Sequence, residues 1–234
     1  MLDKRTDLAG PGISTYEAVE KVLPKNYESL LDVKRTQQAI YDVKEYIEKG
    51  LAKELNLMLV QVPLIVEASS GMNDMLDRDG SRTPVEFPCG LGLDIPIRAS
   101  IVQAATKWKR WALQQFQCDV HEGINTDMRA VRKDYFLDHD HSAYVDQWDW
   151  EQVINEEDRT LEYLTDVVKK IWKVFVGAEK MVMDKYPELQ DPRFPPLPEE
   201  LHFIHAEEIL AKYPDLPRKE RETKIIEEYG AVFI

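Results

Sequence analysis

Cysteine is scarce in this 234-residue chain. Cys89 and Cys118 stand alone, too few and too far apart for a disulfide framework or a zinc site. Long apolar runs are also absent, and none approaches the roughly 18 residues that a membrane span needs. Met1 to Gly12 has no apolar core of the kind a secretory signal requires, so the expected compartment is the cytoplasm, which suits reduced thiols. Basic charge is in deficit: the formal net charge is −13. That balance argues against a broad nucleic-acid surface, because Lys and Arg must neutralise the phosphates. No internal repeat, heptad array, Walker loop or dinucleotide fingerprint occurs. What remains is a chain long enough to bury a sizeable core, with neither membrane nor nucleic acid as an expected partner.

In an acidic protein any anionic ligand must be met by a local basic pocket. One is visible at Lys107-Trp108-Lys109-Arg110, with Arg129, Arg132 and Lys133 further on. Residues 1–20 show no periodicity and read as a flexible extension. From Asp32, a plausible N-cap, Val33, Ile40, Val43, Ile47, Leu51 and Leu55 recur at helical steps. Leu57 to Val66 reads as a strand interrupted by Pro63, which favours an edge or an interface. A polar loop from Ser69 to Gly80 precedes a short strand near Pro84 to Phe87. Ala99 to Phe116 has helical spacing, with Ile101, Ala105, Trp108, Ala112 and Phe116 as its core stripe and Lys107, Lys109 and Arg110 off it. Ile124 to Val131 and Ser142 to Trp150 form an antiparallel hairpin around a long loop, and such loops are often functional.

Arg159 to Tyr186 is a second long helix, with Leu161, Leu164, Val168, Ile171, Phe175, Ala178 and Val182 on one stripe. A proline-rich connector leads to a strand at Leu201 to His205 and to helices at Ala206 to Tyr213 and Pro217 to Tyr229. The last four residues, Ala231 to Ile234, look like the beginning of a buried strand, which leads one to expect further chain. His202 and His205 fall on opposite faces of a strand and make a poor metal pair. His139 and His141 share a face, but Asp138 and Asp140 beside them are adequate loop residues without a metal.

The stretch Tyr144-Val145-Asp146-Gln147-Trp148-Asp149-Trp150-Glu151 carries most of the information. Gln147, Asp149 and Glu151 share one face of a strand, and the two tryptophans share the other with Asp146. Three carboxylates in eight residues are too many for a purely core strand, since a buried carboxylate must be paired. Either this is an edge strand with solvated acids or its polar face lines a site.

Taken in order, the long helix, the Pro63 strand, Lys107-Trp108-Lys109-Arg110, Met128-Arg129-Ala130-Val131-Arg132 and the Tyr144–Glu151 stretch resemble asparagine synthetase A, the ammonia-dependent aspartate–ammonia ligase family. The Asn73-Asp74 loop, His202-Phe203-Ile204-His205, Tyr213-Pro214-Asp215-Leu216 and Gly230-Ala231-Val232-Phe233 match in the same order. The resemblance covers about residues 21–234 and implies an α+β fold, a class II aminoacyl-tRNA synthetase-like antiparallel sheet flanked by helices, incomplete at the C-terminus.

It further implies an ATP-dependent ligase of asparagine biosynthesis. Such an enzyme adenylates the β-carboxylate of L-aspartate, releases pyrophosphate, and lets free ammonia displace AMP to give L-asparagine. On this resemblance Arg132 serves the ATP α-phosphate and substrate carboxylate, Lys109 holds a carboxylate of aspartate, and Asp74, Gln147 and Asp149 complete the aspartate site. Mg2+ travels with ATP without a dedicated metal cage, and the long helix with the Pro63 strand builds a homodimer interface. An aminoacyl-tRNA synthetase is the weaker relative, because the chain is acidic and carries no RNA-binding appendage.

The departures are specific. Gln103-Ala104 stands where the family often has His-Ser, and the loop after Asp74 is longer than usual. The family's C-terminal third, with its glycine-rich motif 3, does not follow Phe233. The alternative expectation is therefore a catalytically incomplete member that binds substrate or a partner chain.

Overall fold

The computed structural model describes Pro24 and residues 27–234 apart from 78, 91, 93, 96, 136 and 140. The expected extension over residues 1–20 lies outside the described residues. In chain order the elements are α1 (Val33–Glu54), β1 (Leu57–Val60), β2 (Ile65–Glu67), β3 (Glu86–Cys89), β4 (Ile97–Ile101), α2 (Thr106–Gln115), β5 (Gly123–Val131), β6 (Tyr144–Gln152), α3 (Leu161–Lys185), β7 (His202–Phe203), α4 (Ala206–Lys212), α5 (Arg218–Tyr229) and β8 (Val232–Phe233). One three-stranded sheet has the order β1-β5-β6 and a second the order β2-β4-β3. The chain divides into two compact units, one built from residues 60–117 and 126–151, the other from 30–59, 118–125 and 152–234.

In the second unit α1 starts where its sequence says it should, because the Asp32 carboxylate accepts the Arg35 N–H at 2.8 Å. Thr160 caps α3 in the same way, accepting the Tyr163 N–H at 3.1 Å. The two helices approach closely through glycine. A Cβ on Gly50 would lie 2.7 Å from Val174 Cγ1, and one on Gly177 would collide with the Tyr46 hydroxyl. Ile47 and Leu51 on α1 and Val167, Val168, Val174 and Ala178 on α3 are buried. Both apolar stripes are shorter than the sequence suggests. Val33 is 82% exposed and Leu161 76%, and Ile40 and Leu164 are exposed as well, while the smaller Ala39 is buried with Leu31 and Tyr186. Small residues allow the closer contact, and the larger ones flanking it turn to solvent.

The expected Leu201–His205 strand is only His202–Phe203, paired parallel to Val232–Phe233. It stops because His205 becomes the N-cap of α4: its ring accepts the Glu207 N–H at 3.3 Å, and Glu208 reaches back to the His205 N–H at 3.1 Å. His202 stacks on Tyr229 with ring centroids 3.7 Å apart, so the two histidines hold separate packing roles. A parallel pair needs a crossover, and α4 and α5 supply it.

In the first unit β4 lies between β2 and β3, antiparallel to both, with Ile101 opposite Ile65 and Ala99 opposite Phe87. Two sequence expectations change here. Leu57–Val66 is two strands in two sheets, separated around Pro63, whose missing N–H cannot join a ladder. Ala99 to Ile101 belongs to β4, and the helix begins only at Thr106. Ile101 fits the helical stripe of Ala105 and Ala112 by coincidence of spacing, since it is held by a strand partner 36 residues away in sequence. The core of this unit is Val102, Ala105, Met128 and Ala130, with Val62 and Val66 packed against them.

Candidate active site

Helix α2 and strand β6 bring the first pair of expected site residues together. On α2 the inward side carries Ala105, Lys109 and Ala112, so Lys109 sits on the core side of the helix rather than off it. The residue is 1% exposed. Its ammonium donates to Asp149 and, at 3.4 Å, to the Trp150 carbonyl, and it lies 3.9 Å from a Glu151 oxygen. Arg110 faces the same Glu151 at 3.6 Å. A buried ammonium without carboxylates would cost several kcal/mol, so β6 supplies what α2 requires. The alternation along β6 is what places Asp149 and Glu151 on one face, with Gln147 two residues earlier on that face and exposed. Thr126 Oγ1 donates to the Asp149 carbonyl at 3.0 Å and ties β5 to this point.

The Asn73-Asp74 loop fixes the beginning of α2. Asn73 donates to Ser100 Oγ at 2.8 Å and to the Ile101 carbonyl at 2.9 Å, and accepts the Gln103 N–H at 2.8 Å. The Asp74 carboxylate accepts the Thr106 N–H at 2.7 Å and the Lys107 N–H at 3.4 Å. The helix's own N-cap position, Ala105, has no side chain able to do this. A carboxylate from another segment therefore meets the unpaired N–H groups and the positive end of the helix. Lys107 Nζ donates back to the Asn73 carbonyl at 3.4 Å.

Arg132 follows β5 directly. Its backbone N–H meets the Ala143 carbonyl at 2.8 Å, closing the hairpin, and its Nε donates to the Gln103 carbonyl at 3.2 Å. The guanidinium lies 5.7 Å from the centre of the Tyr135 ring, which Arg82 also covers at 4.2 Å. Among the described residues its two terminal nitrogens have no hydrogen-bond partner. The other basic residues of the cluster are engaged: Arg129 with Asp127 at 3.2 Å, and Lys133 with Asp134 at 2.6 Å. Lys133 and the Thr83 N–H together hold the Asp134 carboxyl down to about 2. That contact links the loop before β3 to the hairpin loop, since Thr83 donates to Asp134 through both its N–H, at 2.9 Å, and its hydroxyl, at 3.0 Å.

Lys109 and Asp149 are thus in direct contact, and Asp74, Arg132 and Lys109 are all anchored on residues 103–109. Gln147 shares the strand face of Asp149, and its side chain has no hydrogen bond among the described residues. In the sequence Asn73, Gln103 and Glu151 carry no site role: Asn73 stands only within the matching loop, Gln103 only as a departure from the family, and Glu151 only as sharing the face of Asp149. Among the described residues no group of three or more His, Cys, Asp or Glu side chains is gathered to hold a metal ion. No helix among them is long and apolar enough to cross a membrane.

A family model described as aspartate-ammonia ligase matches residues 34–234. The chain is similar to the aspartate–ammonia ligase of Clostridium perfringens strain 13, 44% identical over 212 residues that make up 91% of this chain and 61% of the relative. It is similar also to that of Fusobacterium nucleatum, 46% identical over 208 residues, 89% of this chain and 61% of the relative. The chain therefore spans about three fifths of the length of these curated relatives. Among solved structures, asparaginyl-tRNA synthetase from Entamoeba histolytica superposes with a TM-score of 0.56 at 14% identity, over 92% of this chain and 49% of that one. The same synthetase in complex with asparaginyl-adenylate gives 0.54 at 13% identity, over 92% and 48%. At that identity the likeness is one of fold: α+β and class II aminoacyl-tRNA synthetase-like.

Proposed function

We propose, from the premise that the chain belongs to the aspartate–ammonia ligase family, that residues 21–234 form a catalytic domain for the ATP-dependent amidation of L-aspartate. A β-carboxylate oxygen of aspartate attacks the α-phosphorus of ATP, and the bond to the β-phosphate breaks with release of pyrophosphate. Ammonia then attacks the acyl carbon of the β-aspartyl-adenylate, the carbon–oxygen bond to AMP breaks, and a proton is lost to yield asparagine. Mg2+ arrives as part of the nucleotide substrate. The proposed place of action is the cytoplasm, where ATP is available.

The observation that carries this reading is two differently prepared cations, Lys109 within residues 103–109 and Arg132 hydrogen-bonded to that segment. Arg132 is held through Nε alone, which leaves its planar terminal donors for the α-phosphate and the attacking carboxylate, where negative charge gathers. Lys109 is buried against Asp149 and Glu151 and can hold a carboxylate of aspartate at one end of the same segment. Asp149 and Gln147, neighbours on the β6 face, then meet the α-ammonium and amide-forming end, where acceptors are needed. Asp74 serves chiefly by fixing α2, and the oxygen that accepts only the long 3.4 Å bond from the Lys107 N–H is the one that can turn to an ammonium group. A homodimer is proposed with it, through exposed apolar residues of α1 and β1 such as Val33, Ile40, Met58 and Leu59.

A second reading is that these residues bind aspartate or a partner chain without completing turnover. One assay separates the two. The purified chain is given L-aspartate, MgATP and ammonium, and asparagine and AMP are measured together with aspartate binding. Turnover supports the ligase, binding without turnover supports the second reading, and the absence of both sinks the assignment.

A further inference from the structure

Gln103 is the most constrained polar residue of the first unit that neither the fold nor the proposed reaction uses. It is 1% exposed, and its Nε2 has no hydrogen-bond partner among the described residues. A buried amide donor without an acceptor costs free energy that an apolar side chain of the same shape avoids. Its backbone, by contrast, is fully committed. The N–H goes to Asn73 Oδ1 at 2.8 Å and the carbonyl accepts Arg132 Nε at 3.2 Å. Residues on either side are pinned as firmly. Val102 donates to the Leu64 carbonyl at 3.0 Å and accepts the Val131 N–H at 3.1 Å, and the Ala104 carbonyl accepts the Asp74 N–H at 3.4 Å. Gln103 is tied to the guanidinium through its backbone carbonyl, and its side-chain amide is left without an acceptor among the described residues.

An unpartnered amide and the unused terminal donors of a guanidinium, carried by two residues that are hydrogen-bonded to each other, suit one oxyanion. We propose that Gln103 is a ligand-binding residue, its Nε2 donating to an oxygen of the phosphate or carboxylate that Arg132 binds. The inference rests on the reading of Arg132 as an oxyanion site and adds the residue that reads the oxyanion's second oxygen. A neutral amide gives direction without further charge, which suits a position where a second buried cation would need its own counter-ion.

Gln103→Met removes the amide and keeps the length of the side chain. Because Nε2 meets no acceptor among the described residues, the ligand-free variant is expected to melt at or above the wild-type temperature, while its ligand affinity falls about tenfold, the value of one hydrogen bond to a charged group. Affinities are measured by calorimetry on the full chain for MgATP and, separately, for L-aspartate. A loss confined to MgATP assigns a phosphate oxygen, and a loss confined to aspartate a carboxylate. A second measurement does not depend on the variant: in the wild-type 15N spectrum the Gln103 side-chain amide shifts when the same ligand is added.

Unchanged affinity for both ligands together with a motionless amide overturns the proposal. So does a Gln103→Met chain that melts well below wild type, since the amide then has a structural partner. Arg132→Ala separates the two levels of the argument. If it binds both ligands as wild type while Gln103→Met does not, the Arg132 reading fails and Gln103 stands as a binding residue on its own. If Arg132→Ala loses binding while Gln103→Met keeps it, Gln103 alone is wrong. A wild-type chain that binds neither ligand overturns both.

Discussion

The Asp74 carboxylate accepts the Thr106 N–H at 2.7 Å from 32 residues upstream and so caps α2 from outside the helix. Removing it leaves the first turn of α2 with unpaired N–H groups. Asp74→Ala is expected to lower stability by about 1 kcal/mol, with Asp74→Asn losing less because its carbonyl still accepts from Thr106. Urea denaturation of the two variants measures this, and aspartate titration separates the roles. Asp74→Asn with wild-type stability but no aspartate binding would show that the carboxylate touches substrate directly.

Gly50 and Gly177 both admit a neighbouring helix, yet they should respond differently to alanine. At Gly50 the obstacle is Val174, a β-branched side chain only 5% exposed and unable to move aside. Gly50→Ala is expected to cost about 1 to 3 kcal/mol through overpacking. At Gly177 the obstacle is the far end of Tyr46, which is 39% exposed and can swing into solvent. There the gain in helix propensity, up to about 1 kcal/mol, should leave the change near zero or favourable. Thermal melts of both variants decide it, and Gly50→Ala with Val174→Ala should recover part of the first loss. Equal destabilisation at the two positions would contradict the argument.

Lys185 and Tyr186 at the end of α3 hold the Asp42 carboxyl of α1 down from 3.8 to about 2. Lys185 does so at 2.6 Å, and the Tyr186 hydroxyl donates to the same oxygen. A carboxylate whose folded value is lowered contributes in full above its unfolded value and loses that contribution as pH falls through the folded one. Stability should therefore decline between 3.8 and about 2. Asp42→Asn should be less stable at neutral pH and flatter across that acid window, followed by far-ultraviolet circular dichroism. An acid limb unchanged in the variant would remove Asp42 as its source.

The elements that carry their own punctuation were legible in the sequence. Asp32 and the stripe behind it marked α1, and the alternation from Tyr144 to Glu151 marked β6. What depended on distant partners was not. Ile101 looked helical because nothing near it reveals Ile65, the residue it pairs with in β4. Lys109 looked exposed because the carboxylates that make its burial tolerable lie 40 residues further on, on β6. The proposed site rests on family resemblance, and spacing alone left the acids of β6 equally suited to solvent. Gln103 stood out in the sequence only as a departure from the family's His-Ser, since an unpartnered amide is visible only when its neighbours have been placed.

Lys109 and Asp149 offer a way to separate the pair's structural role from its chemistry. Lys109→Met leaves two carboxylates without their cation, and their side chains are only 21% and 22% exposed. Partial solvation softens the penalty below that of a fully buried pair, so a loss of about 2 kcal/mol is expected. Asp149→Leu strands the ammonium instead, which is the more buried partner, and should cost at least as much. Combining the two removes both charges, and the double variant should be more stable than the sum of the single losses predicts. Additive losses would mean that the pair contributes nothing beyond its separate members. Aspartate-dependent pyrophosphate exchange should vanish in all three variants, whatever their stability, because the double variant restores packing but no cation. Exchange that returned along with stability would assign Lys109 and Asp149 to the scaffold and leave Arg132 as the cation for the substrate carboxylate.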